Sequence, residues 1–337
     1  MEGNRGLKLV AIGGGTGLST LLAGLKPFVG ERGDGSWLQS LSAIVTVSDD
    51  GGSSGRLREE LRMFPPGDIR NCMIALSEDS TLLARLFRYR FGGSGDLAGH
   101  SFGNLFLAAL TAVTGDFVEA VRLSSEVLAS KGHIYPATIT DVRLVAELED
   151  GTEVYGETQI TGARAVIRSL RLEPERCLPL PEALAAINDA DLITIGPGSL
   201  YTSILPNILV AQVADTISES QAIKVFVTNL MTQPGETDGY DVRRHVETVK
   251  RYAPQIEFDY VIVNSRAISE EQAALYRADG AYQVKLGDDF GKADLGIEVI
   301  SADLLDKGDM VRHDSHRLGQ VVLACSEHQK PAALAHI

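Results

Sequence analysis

Four segments of this chain combine glycine with hydroxyl, amide or carboxylate side chains at spacings that could hold an anion. They are Gly13-Gly14-Gly15-Thr16-Gly17, Asp49-Asp50 with the following Gly51–Arg56, Gly196–Ser203, and Asn229–Thr237. Glycine lets backbone N–H groups come close to a ligand, and a helix that follows offers its positive end to a phosphate. Gly13, Gly14, Gly15, Thr16 and Gly17 could therefore cradle phosphate, although a tight turn without a ligand fits the same residues. This loop matches neither common phosphate signature. Leu18 stands where a dinucleotide fingerprint needs glycine or alanine, and Leu18-Ser19 replaces the Lys-Ser/Thr pair of a Walker A loop.

In the second segment, Asp49 and Asp50 could accept hydrogen bonds from a ribose or hold Mg²⁺ against a diphosphate; an Asp-Gly turn is the alternative. Ser53, Ser54, Gly55 and Arg56 add hydroxyls, a flexible backbone and a guanidinium suited to phosphate. Gly196, Gly198, Ser199, Thr202 and Ser203 repeat the logic of the first loop, with a turn shaped by Pro197 as the alternative. Asn229, Gln233, Glu236 and Thr237 carry hydrogen-bonding capacity for a base or a sugar. Near these loops, Asp68 could cap a helix or touch ligand, and Asn71 shares its segment. His100 could transfer a proton or act as a structural donor. Ser101 opens an apolar helix on which Asn104 is an amide in need of partners. No HExxH motif and no Ser-His-Asp nucleophile elbow is present.

Apolar runs that end at these loops set where they stand. Leu7–Ile12, Leu41–Val47, Asp191–Ile195, Ile223–Thr228, Tyr260–Val263 and Ile297–Ser301 read as buried strands. Helical spacing appears over Leu18–Leu25, Asp68–Leu76, Ser80–Arg90, Ser101–Val113, Asp116–Ala129, Pro181–Asn188, Val242–Tyr252 and His316–Glu327, with Asp116 as an N-cap. Pro27–Ser40 and Asn229–Tyr240 read as loops. Strand, glycine loop, helix is the opening of a doubly wound α/β sheet, in which ligands sit beyond the carboxyl ends of the strands. From Tyr135 to about Leu172 the pattern alternates around a Glu149–Thr152 turn, as in a β-rich insertion with a hairpin. The expectation is one domain over residues 1–330, interrupted by this insertion over 135–172 and followed by a tail, 331–337.

The 337 residues are 44% hydrophobic and 23% charged, enough for a sizeable core, and the net charge is −14. That charge disfavours a nucleic-acid partner. Cys72, Cys177 and Cys325 are far apart without CxxC spacing, which suits a reducing compartment and argues against zinc or disulfides. No secretory segment precedes the first strand and no apolar run is long enough for a bilayer, so a cytoplasmic location is expected.

Taken together, Gly13–Ser19, Val45–Arg58 (VTVSDDGGSSGRLR), Pro65–Cys72 (PPGDIRNC), Gly99–Leu105 (GHSFGNL), Gly196–Leu209 (GPGSLYTSILPNIL) and Asn229–Tyr240 (NLMTQPGETDGY) resemble the bacterial gluconeogenesis factor family. That family is the YvcK-like branch of a CofD-like superfamily that contains 2-phospho-L-lactate transferase. The resemblance runs from about Lys8 to Leu323. It implies a Rossmann-like core, binding of UDP-N-acetylglucosamine and a regulatory role in cell shape and envelope synthesis during gluconeogenic growth. It also implies homodimers, by analogy. Arg312-His313-Asp314 resembles a family segment that helps hold the nucleotide sugar. The alternative implied is an Mg²⁺-dependent transferase using a nucleoside-diphosphate-linked donor, with Asp49 or Asp50 on the metal and Arg56 neutralising the transferred group. Gly51–Arg58 departs from the transferase's deazaflavin segment, and NAD, zinc and haem are not expected.

Overall fold

In the computed structural model of the chain, residues 6–30, 38–78, 82–287, 290 and 296–326 are described. The start of the helix expected over Ser80–Arg90, the end of the one expected over His316–Glu327, residues 31–37 of the first long loop and the tail 331–337 lie outside them.

Among the described residues, ten strands form two sheets. The strands are β1 (Leu7–Gly13), β2 (Leu38–Val45), β3 (His133–Pro136), β4 (Arg143–Leu148), β5 (Glu153–Tyr155), β6 (Ile167–Glu173), β7 (Leu192–Ile195), β8 (Ile223–Val227), β9 (Tyr260–Asn264) and β10 (Glu298–Ala302). Seven of them make one parallel sheet in the order β10-β9-β8-β7-β1-β2-β3. The doubly wound expectation is met. Successive side chains of β1 show why these strands read as unbroken apolar runs: Leu9 and Ala11 pack into one core, Val10 and Ile12 into another on the opposite face.

Helices cover both faces. On the face of Leu9 lie α1 (Gly15–Leu25), α3 (Gly67–Leu76), α5 (Phe102–Thr114), α6 (Phe117–Val127) and the last helix, Ser315–Ala324. That last helix crosses α1 closely, because Gly24 and Gly319 meet there and a side chain on Gly24 would run into the carbonyl of Ser315. The other face holds α8 (Pro181–Asn188), α10 (Val213–Glu219), α11 (Val242–Tyr252) and the small antiparallel sheet β5-β4-β6. The alternation that begins at Tyr135 starts inside β3, an edge strand of the main sheet. The antiparallel sheet itself occupies residues 143–173.

Two segments take a different form from the one their composition suggests. Gly51–Arg56 reads as a flexible loop, yet Gly52–Leu61 is a helix, α2. Each interior glycine costs a helix about 1 kcal/mol relative to alanine. Burying Leu57, which is 4% exposed, returns roughly 1.5–3 kcal/mol, and Gly55 is needed because its α-carbon lies against the carbonyl of Asp50. The β-rich insertion also contains a helix, α7 (Glu157–Ala163), which carries Ile160 into the core.

Candidate functional site

β1 and β7 are neighbours in the sheet, yet the chain leaves them toward opposite faces. After β1 it enters α1, whose Leu18 and Leu21 join one core; after β7 it enters a π-helical turn, Leu200–Ile204, whose Leu200 and Ile204 join the other. Such a switch point leaves a crevice beyond the strand ends. A cleft of about 310 Å³ opens there, lined by Thr16, Gly17, Ser199, Asn229, Gln233 and His313 among others. Three of the four segments singled out in the sequence thus share one cleft.

The glycines of the two cradles are explained partly by each other. A side chain on Gly17 would strike the carbonyl of Pro197, and one on Gly14 would come within 2.7 Å of Asp68 and 2.8 Å of Thr46. Gly13 has only ordinary contacts, whereas Gly15 and Gly196 have positive φ. Gly198 packs against Ser203 and the carbonyl of Gly14. One amide at the third position of each loop already has a side-chain acceptor within the chain. Gly15 N–H donates to Asp68 at 2.8 Å, and Gly198 N–H donates to Asn229 at 3.1 Å.

Asp68 therefore does not cap its own helix; it reaches across to the start of α1. Burial and the neighbouring Asp49 push its carboxyl up to about 7. In the cleft, the Gln233 Oε1 and His313 Nε2 atoms are buried without partners. Burial lowers His313 to about 4, so its ring is neutral at pH 7. Arg312 and Tyr276 also line it, and the Tyr276 hydroxyl accepts from Val311 N–H at 3.1 Å. Tyr276 sits on Glu270–Ala278, a helix that carries no glycine motif and was not singled out in the sequence.

The adjacent acids diverge. Asp49 accepts from Gly51 N–H at 2.8 Å and its other oxygen faces Gly67. Asp50 accepts from the backbone N–H and the hydroxyl of Thr158 at 2.8 and 2.7 Å, tying it to the start of α7. Glu157, beside Thr158, is pushed up to about 9 by burial and by Asp49 and Asp68. Glu236 accepts from Thr161 of α7 at 2.9 Å and from Ser199 at 2.8 Å, joining the insertion to the third loop. Thr202 N–H donates to Ser199, and Thr237 accepts from Gln233 N–H at 2.8 Å, so both hold loop shape. Glu157, Thr158 and Thr161 were missed because their segment reads as strand. Among the described residues, no three His, Cys, Asp or Glu side chains are grouped to enclose a metal.

Ser53, Ser54, Gly55 and Arg56 lie in the first half of α2 and do not line that cleft. The Ser53 hydroxyl pairs with His100 Nδ1 at 3.0 Å and accepts from Asn104 Nδ2 at 3.1 Å. Ser101 caps α5 and also accepts from Arg70, whose guanidinium donates to Asn71 as well. The amide on the apolar helix has its partner in Ser53, while its Oδ1 remains unpaired.

Fold and cleft together define a CofD-like protein: the family described as 2-phospho-L-lactate transferase CofD matches residues 9–305. A gluconeogenesis factor of Bacillus subtilis is 45% identical over 317 residues, covering 94% of this chain and 97% of its own. One of Halalkalibacterium halodurans is 44% identical over 316 residues, covering 94% and 95%. A crystal structure of a UPF0052 family protein from Bacillus halodurans superposes with a TM-score of 0.88 at 43% identity, over 95% of this chain and 99% of the other. The chain belongs to the gluconeogenesis factor family within the CofD-like proteins.

Proposed function

We propose that the chain is a cytoplasmic nucleotide-sugar-binding regulator whose ligand is UDP-N-acetylglucosamine, acting on cell shape and envelope synthesis during gluconeogenic growth. One observation carries the binding reading. The cleft at the switch point sets the amide donors at the start of α1 beside two unpartnered buried acceptors, Gln233 Oε1 and His313 Nε2. Helix-start donors suit a diphosphate, and acceptors suit a uracil N–H or a ribose hydroxyl. Buried polar atoms that lack partners in the free protein are satisfied when such a ligand enters.

Calorimetric titration of the chain with UDP-N-acetylglucosamine should show saturable binding, weakened about tenfold or more by Gln233→Leu, which removes the acceptor and keeps the bulk. No heat from any uridine nucleotide would sink the reading.

A second reading, an Mg²⁺-dependent transferase, is favoured by Asp49 and Asp68 lying close enough for each to act on the other's charge. Magnesium takes one or two carboxylates and completes its shell with phosphate and water, so Asp49 with a bound diphosphate fits it. The nucleotide-linked group would pass to an acceptor hydroxyl with release of UMP and a proton. Appearance of UMP on adding Mg²⁺ and an acceptor alcohol to the nucleotide-sugar complex selects this reading.

A further inference from the structure

Three arginines meet on one short stretch of backbone outside the nucleotide cleft. Arg56, from α2, donates to the carbonyl of Ala98 at 2.7 Å. Arg90 donates to the next carbonyl, Gly99, at 2.5 Å. Arg70, from α3, donates to the Ser101 hydroxyl at 2.6 Å. The stretch is held in place by a hairpin-like exchange of hydrogen bonds between residues 89–91 and 99–102, and Gly99 has positive φ with Arg56 Nη2 3.3 Å from where a Cβ would stand. Arg90 lies near enough to act on the charge of Arg70, and Arg56 and Arg90 both act on His100, so the three guanidiniums share one neighbourhood although like charges repel.

Among the described residues, none of the three forms an ion pair, in a chain of net charge −14. Asp49 and Asp68 act on Arg70 only through space, and Glu60 acts in the same way on His100. Arg70 Nε is a buried donor without an acceptor, and Asn104, 1% exposed, leaves its Oδ1 unpaired in the same cluster. Arg90 is exposed and Arg56 and Arg70 are half-buried, so the cluster opens to solvent on one side.

We infer that Arg56, Arg70 and Arg90 form a second anion subsite, separate from the nucleotide cleft, that takes the phosphoryl group of a second, phosphorylated ligand. Guanidiniums present paired N–H donors that match phosphate oxygens. The unpaired Nε of Arg70 supplies a further donor, and the unpaired Asn104 oxygen accepts from a hydroxyl of the same group. Asp68 and Asn71, on the same helix as Arg70, connect this subsite to the first loop, because Asp68 binds Gly15 and Asn71 binds Arg70. Two anionic ligands would thus flank Asp49 and Asp68, which keep them apart. The subsite rests on its own residues, and only its separateness depends on the nucleotide reading.

The test is titration of the nucleotide-free chain with inorganic phosphate, followed by calorimetry. Arg90→Gln is expected to weaken phosphate at this subsite about tenfold, and Arg56→Gln/Arg90→Gln to remove one site from the binding stoichiometry. Gln233→Leu should leave phosphate binding unchanged, and Arg122→Gln, a surface change of equal charge, should do the same. Circular dichroism confirms that each variant folds, and Arg70→Lys supplies a milder second perturbation. Phosphate binding whose stoichiometry and affinity are the same in the double variant as in the parent, or that is lost only in Gln233→Leu, overturns the subsite, as does the absence of any phosphate binding. Succinate binding tighter than phosphate overturns the phosphoryl assignment. Parallel titration with UDP-N-acetylglucosamine separates the two claims: its failure alone removes the nucleotide reading and leaves the phosphate result standing.

Discussion

Asp68 changes meaning between sequence and structure more than any other residue. Read along the chain it suits a helix cap; in space its carboxylate accepts from the Gly15 amide at the start of α1. Its ordinary value near 3.8 rises to about 7 through burial and the charge of Asp49. An acid raised by folding holds its proton in the native state while the unfolded chain has already lost it. Stability attributable to Asp68 is therefore greatest below about pH 4, falls as pH climbs toward 7, and levels off above. The full swing is on the order of 4 kcal/mol. Asp68→Asn keeps an acceptor for Gly15 and removes the titration. Denaturant melts should show the variant gaining on the parent between pH 4 and pH 7.5; equal pH profiles for the two proteins would discard this account. On the proposed nucleotide reading the same proton would matter for binding, because a neutral Asp68 repels a phosphate near the start of α1 less than a charged one does.

At the scale of elements, the insertion is joined to the loops at the strand ends by two polar links. Asp50 holds the N-terminal end of α7, and Glu236 bridges Thr161 of α7 to Ser199 of the third loop. Thr161→Val removes one link without changing bulk. Hydrogen exchange across residues 157–163 should quicken by several-fold, while exchange in β1 and β7 stays as it was; unchanged protection in α7 would show that Glu236 does not anchor it. The close approach of the two cradles is a second element-level feature. Gly17→Ala places a methyl group against the carbonyl of Pro197 and should cost about 1–3 kcal/mol in denaturant unfolding, since neither backbone can move without the other. The sequence pattern reached these elements unevenly. Long amphipathic helices such as Val242–Tyr252, and the Asp116 cap of α6, were legible because one face or one residue decides them. The helix α2 was hidden because glycine and serine lower local propensity, and only contact with Asp50 and burial of Leu57 select the helix.

For the whole molecule, the cleft lies where the two halves of the sheet meet, so a ligand there contacts segments that follow β1, β7 and β8. Binding should stabilise the entire fold. At a ligand concentration one hundred times Kd the gain is about 2.7 kcal/mol. A thermal melt with UDP-N-acetylglucosamine should shift upward as one transition; no shift at saturation would mean that the nucleotide does not bind the native cleft. No helix among the described residues is long and apolar enough to cross a membrane.

The sequence by itself determined the parallel α/β architecture, since strands buried on both faces must be apolar at every position and glycine loops must follow them. It also determined which loops carry polar chemistry, and through its motifs the family. Tertiary structure decided which of those residues share a cleft. Gly13–Gly17, Gly196–Ser203 and Asn229–Thr237 converge because β1 and β7 pair side by side, although nearly 180 residues separate them along the chain. Asp49 and Asp50 part company because each finds a different hydrogen-bond donor within reach, which spacing along a chain does not reveal. Arg90 joins Arg56 and Arg70 only because a hairpin folds its carbonyl partners beside α2. Periodicity is local and can be read in one dimension; a buried polar atom's partner is set by three-dimensional proximity.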